Sequence, residues 1–368
     1  MSSRDVTAFD QRRAWHHLLL WLAGRVADDL LSEARAWLAE DRLTEVAQGV
    51  AFAVASSGIL VRAEHATLIR ERLAETGDDM GVMQYIDRTD VDVLPPFDFA
   101  PIAPDTLGTG GNGLPRVLDL SSVYPDGSGP DDVDRAARDA VAEVAAQGGI
   151  RGLWRAWRLP ARQSPWPPPK RVFLALVDAD GSLTAGAIDP PSLTLRLQTA
   201  LTTAGEESPQ VEVAEVTMDL PAYHRILLGG AALLWTSCPA PVVELARVFD
   251  HVDPATGPGF DPEHPLVEDP QERSRLVAYL DGGAMLLHTT AAMDDVVQRD
   301  RVGVVPMNFR TDGTWIWTDT VSYYLKRYGL APDPALLAHI AGQDFRTPAP
   351  DAVALHRAMA VLQAPSPA

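Results

Sequence analysis

Cysteine is almost missing from this chain: Cys238 is the only one in 368 residues. No intrachain disulfide and no cysteine-based zinc site can form, and a reducing cytoplasm is the compartment to expect. A lone thiol between an apolar segment and Pro239 reads as a small buried residue before it reads as a nucleophile. Long apolar runs are missing too. None approaches about 18 residues, so no transmembrane helix is expected. The stretch 18–23 behind Arg12 and Arg13 is too short for a leader and reads as the apolar part of a helix. Positive charge is scarce. Lysine occurs only at Lys170 and Lys326, and 31 basic residues face 50 acidic ones, for a net charge of −19. Such a surface repels phosphate backbones and anionic lipid, so neither nucleic acid nor membrane is an expected partner, whereas a basic protein is.

Catalytic signatures are also lacking. There is no G-x-S-x-G elbow and no H-E-x-x-H pair around His16 and His17. The glycine-rich 108–113 lies between Pro104 and Pro115, where a phosphate cradle needs a strand before it and a helix after it. No cofactor is expected on these grounds.

What is present is a strong pattern of secondary structure. Residues 9–24, 28–40, 43–56 and 62–76 read as four helices, with Gly24, Gly58 and Gly77 at three of the ends. In the first, Trp15, Leu18, Leu19 and Leu22 fall on one face. Residues 82–86 read as a strand. The expected organisation is α+β: a helical module over 1–86, a Pro/Gly-rich linker or long loop over 87–115, a mixed domain over 116–345, and a C-terminal helix and tail over 346–368. Within the mixed domain, 131–147, 191–204, 221–228, 242–252, 271–281, 293–299 and 333–341 read as helices. Strands are expected at 172–177, 182–188, 210–218, 231–236 and 284–289. The arrangement strand, Asp-Gly turn, strand, helix occurs at 172–188 and again at 304–317, an echo with too few identities to be a repeat.

The segment 304–330 is the most explicit. Residues 304–310 alternate as a strand, Asp312-Gly313 suits a tight turn, 314–317 return, and a helix follows to Gly329. Arg310, Asp312, Trp315, Trp317, Asp319, Tyr323 and Tyr324 are here the candidate binding surface, because Trp, Tyr and Arg give large contact area and directed hydrogen bonds. The competing expectation is a covered sheet that buries both tryptophans. A second aromatic and basic stretch, 150–166, carries Arg151, Arg155, Arg158 and Arg162 among Trp154, Trp157 and Trp166. Here the favoured expectation is that the tryptophans enter the core and the arginines pair with carboxylates.

The metal candidates are Asp250, His251, Asp253 and His264, within an acidic loop that also holds Asp261, Glu263, Glu268 and Asp269. Four prolines interrupt this loop and its ligand spacing is irregular, so a solvated connection is the simpler expectation. The function expected from the sequence is a cytoplasmic, non-enzymatic protein-binding module, an acidic adaptor or a toxin-neutralising immunity-type protein. The rival is an enzyme with an acid–histidine site, metal-assisted or not, that pairs Asp250 or Asp312 with His251 or His264.

Overall fold

The computed structural model describes residues 3–104, 115–122, 129–146, 148–160, 167–178 and 188–364, with the side chains of 3–9 outside the description. The fold is α+β, and the chain divides into two compact units, Met1–Cys238 and Pro239–Ala368. The described part of 87–115 falls within the first unit, whose N-terminal helices share ion pairs and hydrogen bonds with the sheet that follows.

In chain order the first unit contains α1 (Ser3–Leu22), α2 (Asp28–Ala39), α3 (Leu43–Ser57), α4 (Ala63–Thr76), β1 (Phe97–Ala100), β2 (Leu118–Asp119), α5 (Asp132–Ala145), β3 (Ile150–Pro160), β4 (Lys170–Val177), α6 (Pro190–Thr203), β5 (Gln210–Glu215), α7 (Ala222–Leu228) and β6 (Ala232–Thr236). The sheet order is β2-β6-β3-β4-β5, and β1 pairs with β3. β4 and β5 run parallel, which requires a crossover, and α6 supplies it. Side chains alternate across the sheet. Leu153, Phe173, Ala175, Val211 and Val213 face a core closed by Ala137 and Val141 of α5 and Leu193, Leu197 and Leu201 of α6.

The opposite face carries charge. Glu212 lies between Val211 and Val213 and therefore points away from that core, where Arg35 of α2 pairs with it. His224 of α7 approaches the same carboxylate at 3.2 Å. Arg158 of β3 reaches Asp28 of α2 at 2.9 Å. His16 of α1 makes a 2.7 Å contact with the carbonyl of Val213. Burial alone would raise the Glu212 pKa, but the charge of Arg35 and the hydrogen bond to His224 bring it down to about 2. The other described arginines of the 150–166 stretch follow the same rule. Arg155 pairs with Asp134 at 3.1 Å, and Arg151 meets Asp178 at 2.6 Å. Trp154 is fully buried. Arg171 of β4 grips Asp131 with both ends of its fork, at 2.9 and 2.7 Å.

The stripe expected on α1 is the buried one: Trp15, Leu18, Leu19 and Leu22 are all at 0% exposure. Other expectations change. Residues 82–85 fall in a 3-10 helix, Met80–Tyr85, begun by the Asp79 carboxylate on the Gly81 amide at 2.7 Å, and Ile86 follows its end. The turn and return strand at 179–187, the glycine run at 108–113 and the residues Arg162 and Trp166 lie outside the described residues.

The second unit contains β7 (Glu244–Leu245), β8 (His251–Asp253), β9 (Gly257–Gly259), α8 (Pro270–Gly282), β10 (Ala284–Leu287), β11 (Ala292–Met293), β12 (Val305–Pro306), β13 (Phe309–Thr311), β14 (Trp315–Thr318), α9 (Asp319–Tyr328), α10 (Pro334–Gly342) and α11 (Ala352–Gln363). Its main sheet is ordered β10-β13-β14-β7. Residues 242–252 are extended and not helical, because β7 is drawn into parallel pairing with β14 and tertiary pairing overrides the local pattern. Residues 293–299 are not helical either. Asp295 takes the amides of Val297 and Gln298 at 3.0 and 3.2 Å, a local alternative to helical bonds. Among the described residues no helix is long and apolar enough to cross a membrane.

Arg35→Met should cost the first unit about 3–5 kcal/mol in urea denaturation, because Glu212 is left buried without its cation. The double replacement R35M/E212L should recover most of that loss, and equal losses in both variants would contradict the pairing. A second expectation concerns pH. Burial, with Arg62 and His17 nearby, holds His65 down to about 4, and burial does the same for His16, against an ordinary 6.5. The unfolded chain takes up these protons near 6.5 and the folded one near 4. Stability therefore falls as pH drops through that window, by up to about 1.4 kcal/mol per pH unit for each histidine. Glu212, whose folded value lies below its ordinary 4.5, adds its own loss only under pH 4.5. Urea midpoints from pH 7 to 4.5 should decline less steeply in H65Q than in the natural chain.

Candidate functional site

The turn and return strand form where expected, but the first strand does not run through 304–310: β12 pairs with β11, and Phe309–Thr311 alone forms the outgoing strand of the hairpin. β13 and β14 are antiparallel, with Thr311 opposite Ile316, and Gly313 takes φ +98° in the turn. α9 ends at Gly329 with φ +74°. The face that carries the tryptophans is not open, which corrects the expectation of a recognition surface. Trp315 is 8% exposed and Trp317 0%, and both lie in a core with Leu276 and Leu280 of α8, Val321 and Leu325 of α9, and Leu336 and Ile340 of α10. The Trp317 indole donates to the carbonyl of Leu280 at 3.1 Å. Its ring lies so close to Gly283 that a Cβ there would come within 2.3 Å of it.

The polar members of the same set are engaged internally. Arg310 donates to Asp319 at 2.6 Å and to the carbonyls of Asp281 and Gly283 at 2.9 and 3.0 Å. Asp319 also accepts from Asn308 at 2.8 Å. Tyr323 donates to Asp295 at 2.9 Å. Tyr324 is 1% exposed, its hydroxyl accepting the Val296 amide at 3.0 Å. These seven residues brace the interior of the second unit.

Asp312 is the most heavily bonded of them. One oxygen accepts the amides of Thr314 and Trp315, at 2.9 and 2.8 Å, and closes the turn. The other accepts the Tyr279 hydroxyl at 2.5 Å and lies 2.7 Å from Nε2 of His339. Burial pushes the Asp312 pKa up, but these hydrogen bonds, that from Tyr279 foremost, hold it below the ordinary carboxylate value. The ionised acid makes His339 the donor. Burial and the same contact raise the Tyr279 phenol. Of the acid–histidine pairings expected for an enzyme, Asp250 with His264 forms at 2.8 Å, whereas Asp312 pairs with His339 in place of His251 or His264. Among the described residues, the hydroxyl beside this imidazole is Thr314 Oγ1, 3.5 Å from the same Nε2. A nucleophile relay needs hydroxyl and carboxylate on different ring nitrogens, so this arrangement orients and braces. Tyr279 and His339 lie 33 and 27 positions from Asp312 in sequence, with no spacing to announce them.

The metal candidates separate into pairs. Asp250 meets His264 Nδ1 at 2.8 Å, and the other ring nitrogen of His264 faces the carbonyl of Ala331 at 3.0 Å. Both imidazole nitrogens are thereby occupied. His251 pairs with Asp261 at 3.1 Å. Asp253 accepts the amides of Ala255 and Thr256, both at 2.8 Å, in its own turn. Among the described residues no group of three or more His, Cys, Asp or Glu is placed to hold a metal ion.

What this loop does present is a surface. Glu263, Glu268 and Glu272 are exposed, and among the described residues none of them has an ion-pair partner. Between and beside them Leu266 is 56% exposed and Val252 73%. The segment 252–272 thus exposes these three carboxylates and these two apolar side chains. Comparison with known proteins finds no matching family model, no similar curated protein and no similar solved structure.

Asp312→Asn should destabilise the second unit by about 2–4 kcal/mol, since Tyr279 and His339 keep buried donors facing a neutral amide. Denaturation followed by hydrogen exchange in β13 and β14 checks this, and protection unchanged from the natural chain would deny Asp312 its bracing role.

Proposed function

We propose that this chain is a cytoplasmic, non-enzymatic protein-binding module whose partner carries a positively charged face, an acidic adaptor or a toxin-neutralising immunity-type protein. The observation that supports this is the run of unneutralised glutamates, Glu263, Glu268 and Glu272, around exposed Leu266 and Val252. Uncompensated carboxylates speed encounter with a basic surface and select against acidic ones, while the apolar points slow dissociation. The overall charge of −19 acts in the same direction at longer range and disfavours nucleic acid. The single cysteine fits a reducing compartment. No cofactor enters this reading.

The 2.7 Å contact between Asp312 and His339 favours the second reading, an enzyme with an acid–histidine site. It is the weaker one, because that carboxylate already closes a turn and accepts from Tyr279, and the ring nitrogen it engages is the one nearest Thr314.

Capture from the chain's own cell lysate at low salt should recover a basic protein. The charge reversal E263K/E268K/E272K should lower its recovery about tenfold or more, and raised salt should do the same to the natural chain. Undiminished capture by the reversed variant would remove the acidic face from the proposal.

A further inference from the structure

Among the described residues of the first unit, an exposed apolar stretch forms a strap between the 3-10 helix Met80–Tyr85 and β1. Over residues 85–94, Tyr85 is 63% exposed, Val91 65%, Val93 55% and Leu94 69%. A loose loop could display such residues in passing, but this one is fastened along its length. Ile86 is buried at 7%. The Val61 amide donates to the carbonyl of Asp87 at 3.2 Å, and Thr89 returns a bond to Val61 at 2.9 Å. Asp92, beneath the outward-facing side chains, accepts from Arg25 at 2.6 Å and from the Ala222 amide at the start of α7, also at 2.6 Å. Arg225 stands 3.6 Å from its second oxygen. Pro95 and Pro96 then restrict the backbone, and Phe97 enters β1.

A pinned backbone with its apolar side chains turned outward has little ordering left to undergo on binding. The charges beside these side chains are of one predominant sign. Asp87, Asp90 and Asp98 are exposed, against Arg88 and the Arg225 already engaged with Asp92. Exposed apolar side chains gathered on one short fastened segment mark a contact surface, and the exposed aspartates beside them disfavour an anionic lipid face.

We infer that the strap 85–94 is a preformed binding ridge that inserts Val91, Val93 and Leu94 into an apolar groove on a partner protein, with basic residues on the rim of that groove. This rests on the protein-binding reading above and adds to it a second contact, in the other unit, built on apolar insertion where the acidic face relies on charge.

The test is photo-crosslinking of the full-length chain in its own cells. Benzoylphenylalanine is placed at Tyr85 or Val93 on the strap, at Leu266 on the acidic face, and at Phe52, which is 73% exposed on α3, as a control. The strap positions should yield an adduct with a basic protein that the Phe52 position does not yield. With the crosslinker at Tyr85, the background V91S/V93S/L94S should lower the yield about tenfold or more without changing the thermal midpoint. An adduct at Leu266 with none at the strap would overturn this inference and leave the acidic-face reading standing. No adduct at either place would overturn both. Strap adducts with a second copy of this chain, with lipid or with an acidic protein, or equal adducts at Phe52, would each overturn the inference too.

Discussion

The first unit depends on one buried carboxylate. Glu212 points out of β5 on the face away from the apolar core, where Arg35 from α2 and His224 from α7 meet it. A buried ion pair of this kind adds little net stability compared with a well-packed apolar pair, but it is severe on misplacement. Sliding α2 by one turn would carry Arg35 out of reach and leave two charges buried and unmatched. The same logic repeats at Arg158 with Asp28 and at Arg155 with Asp134. The helices are therefore positioned on the sheet by charge matching, and the apolar stripes supply the bulk of the adhesion.

This design explains which parts of the fold can be read from the sequence. The stripe Trp15, Leu18, Leu19, Leu22 is local and periodic, so α1 is evident. β3 is not, because its arginines alternate with tryptophans as a surface ribbon would. Only partners far along the chain, Asp28 on one face and Asp134 on the other, convert that ribbon into a central strand. The same limit applies in the second unit. The hairpin, its glycine and the helix that follows are written locally, whereas the burial of Trp315 and Trp317 is decided by α8 and α10. The turn-forming role of Asp312 is legible, and its contacts with Tyr279 and His339 are not.

The exposed charges have a different character from the buried ones. Most described arginines sit against carboxylates or carbonyls, while Glu263 and Glu268 on the loop and Glu272 in the first turn of α8 have no ion-pair partner among the described residues. The histidines of that loop are committed to Asp250 and Asp261. The excess of acid over base in this chain is therefore borne partly at a defined place, beside two exposed apolar side chains.

β3 is longer than any strand beside it on one flank. β6 accompanies it through Gly152–Arg155, and β1 takes over from Trp157 to Pro160. β1 fits there only because Gly230 has no side chain, since a Cβ at that position would come within 2.4 Å of the carbonyl of Phe99. Those four residues thus serve as an edge guard. Were they peeled away, the unsatisfied main-chain groups of β3 would become a template for strands of other chains, and self-assembly would compete with whatever the free surface normally meets.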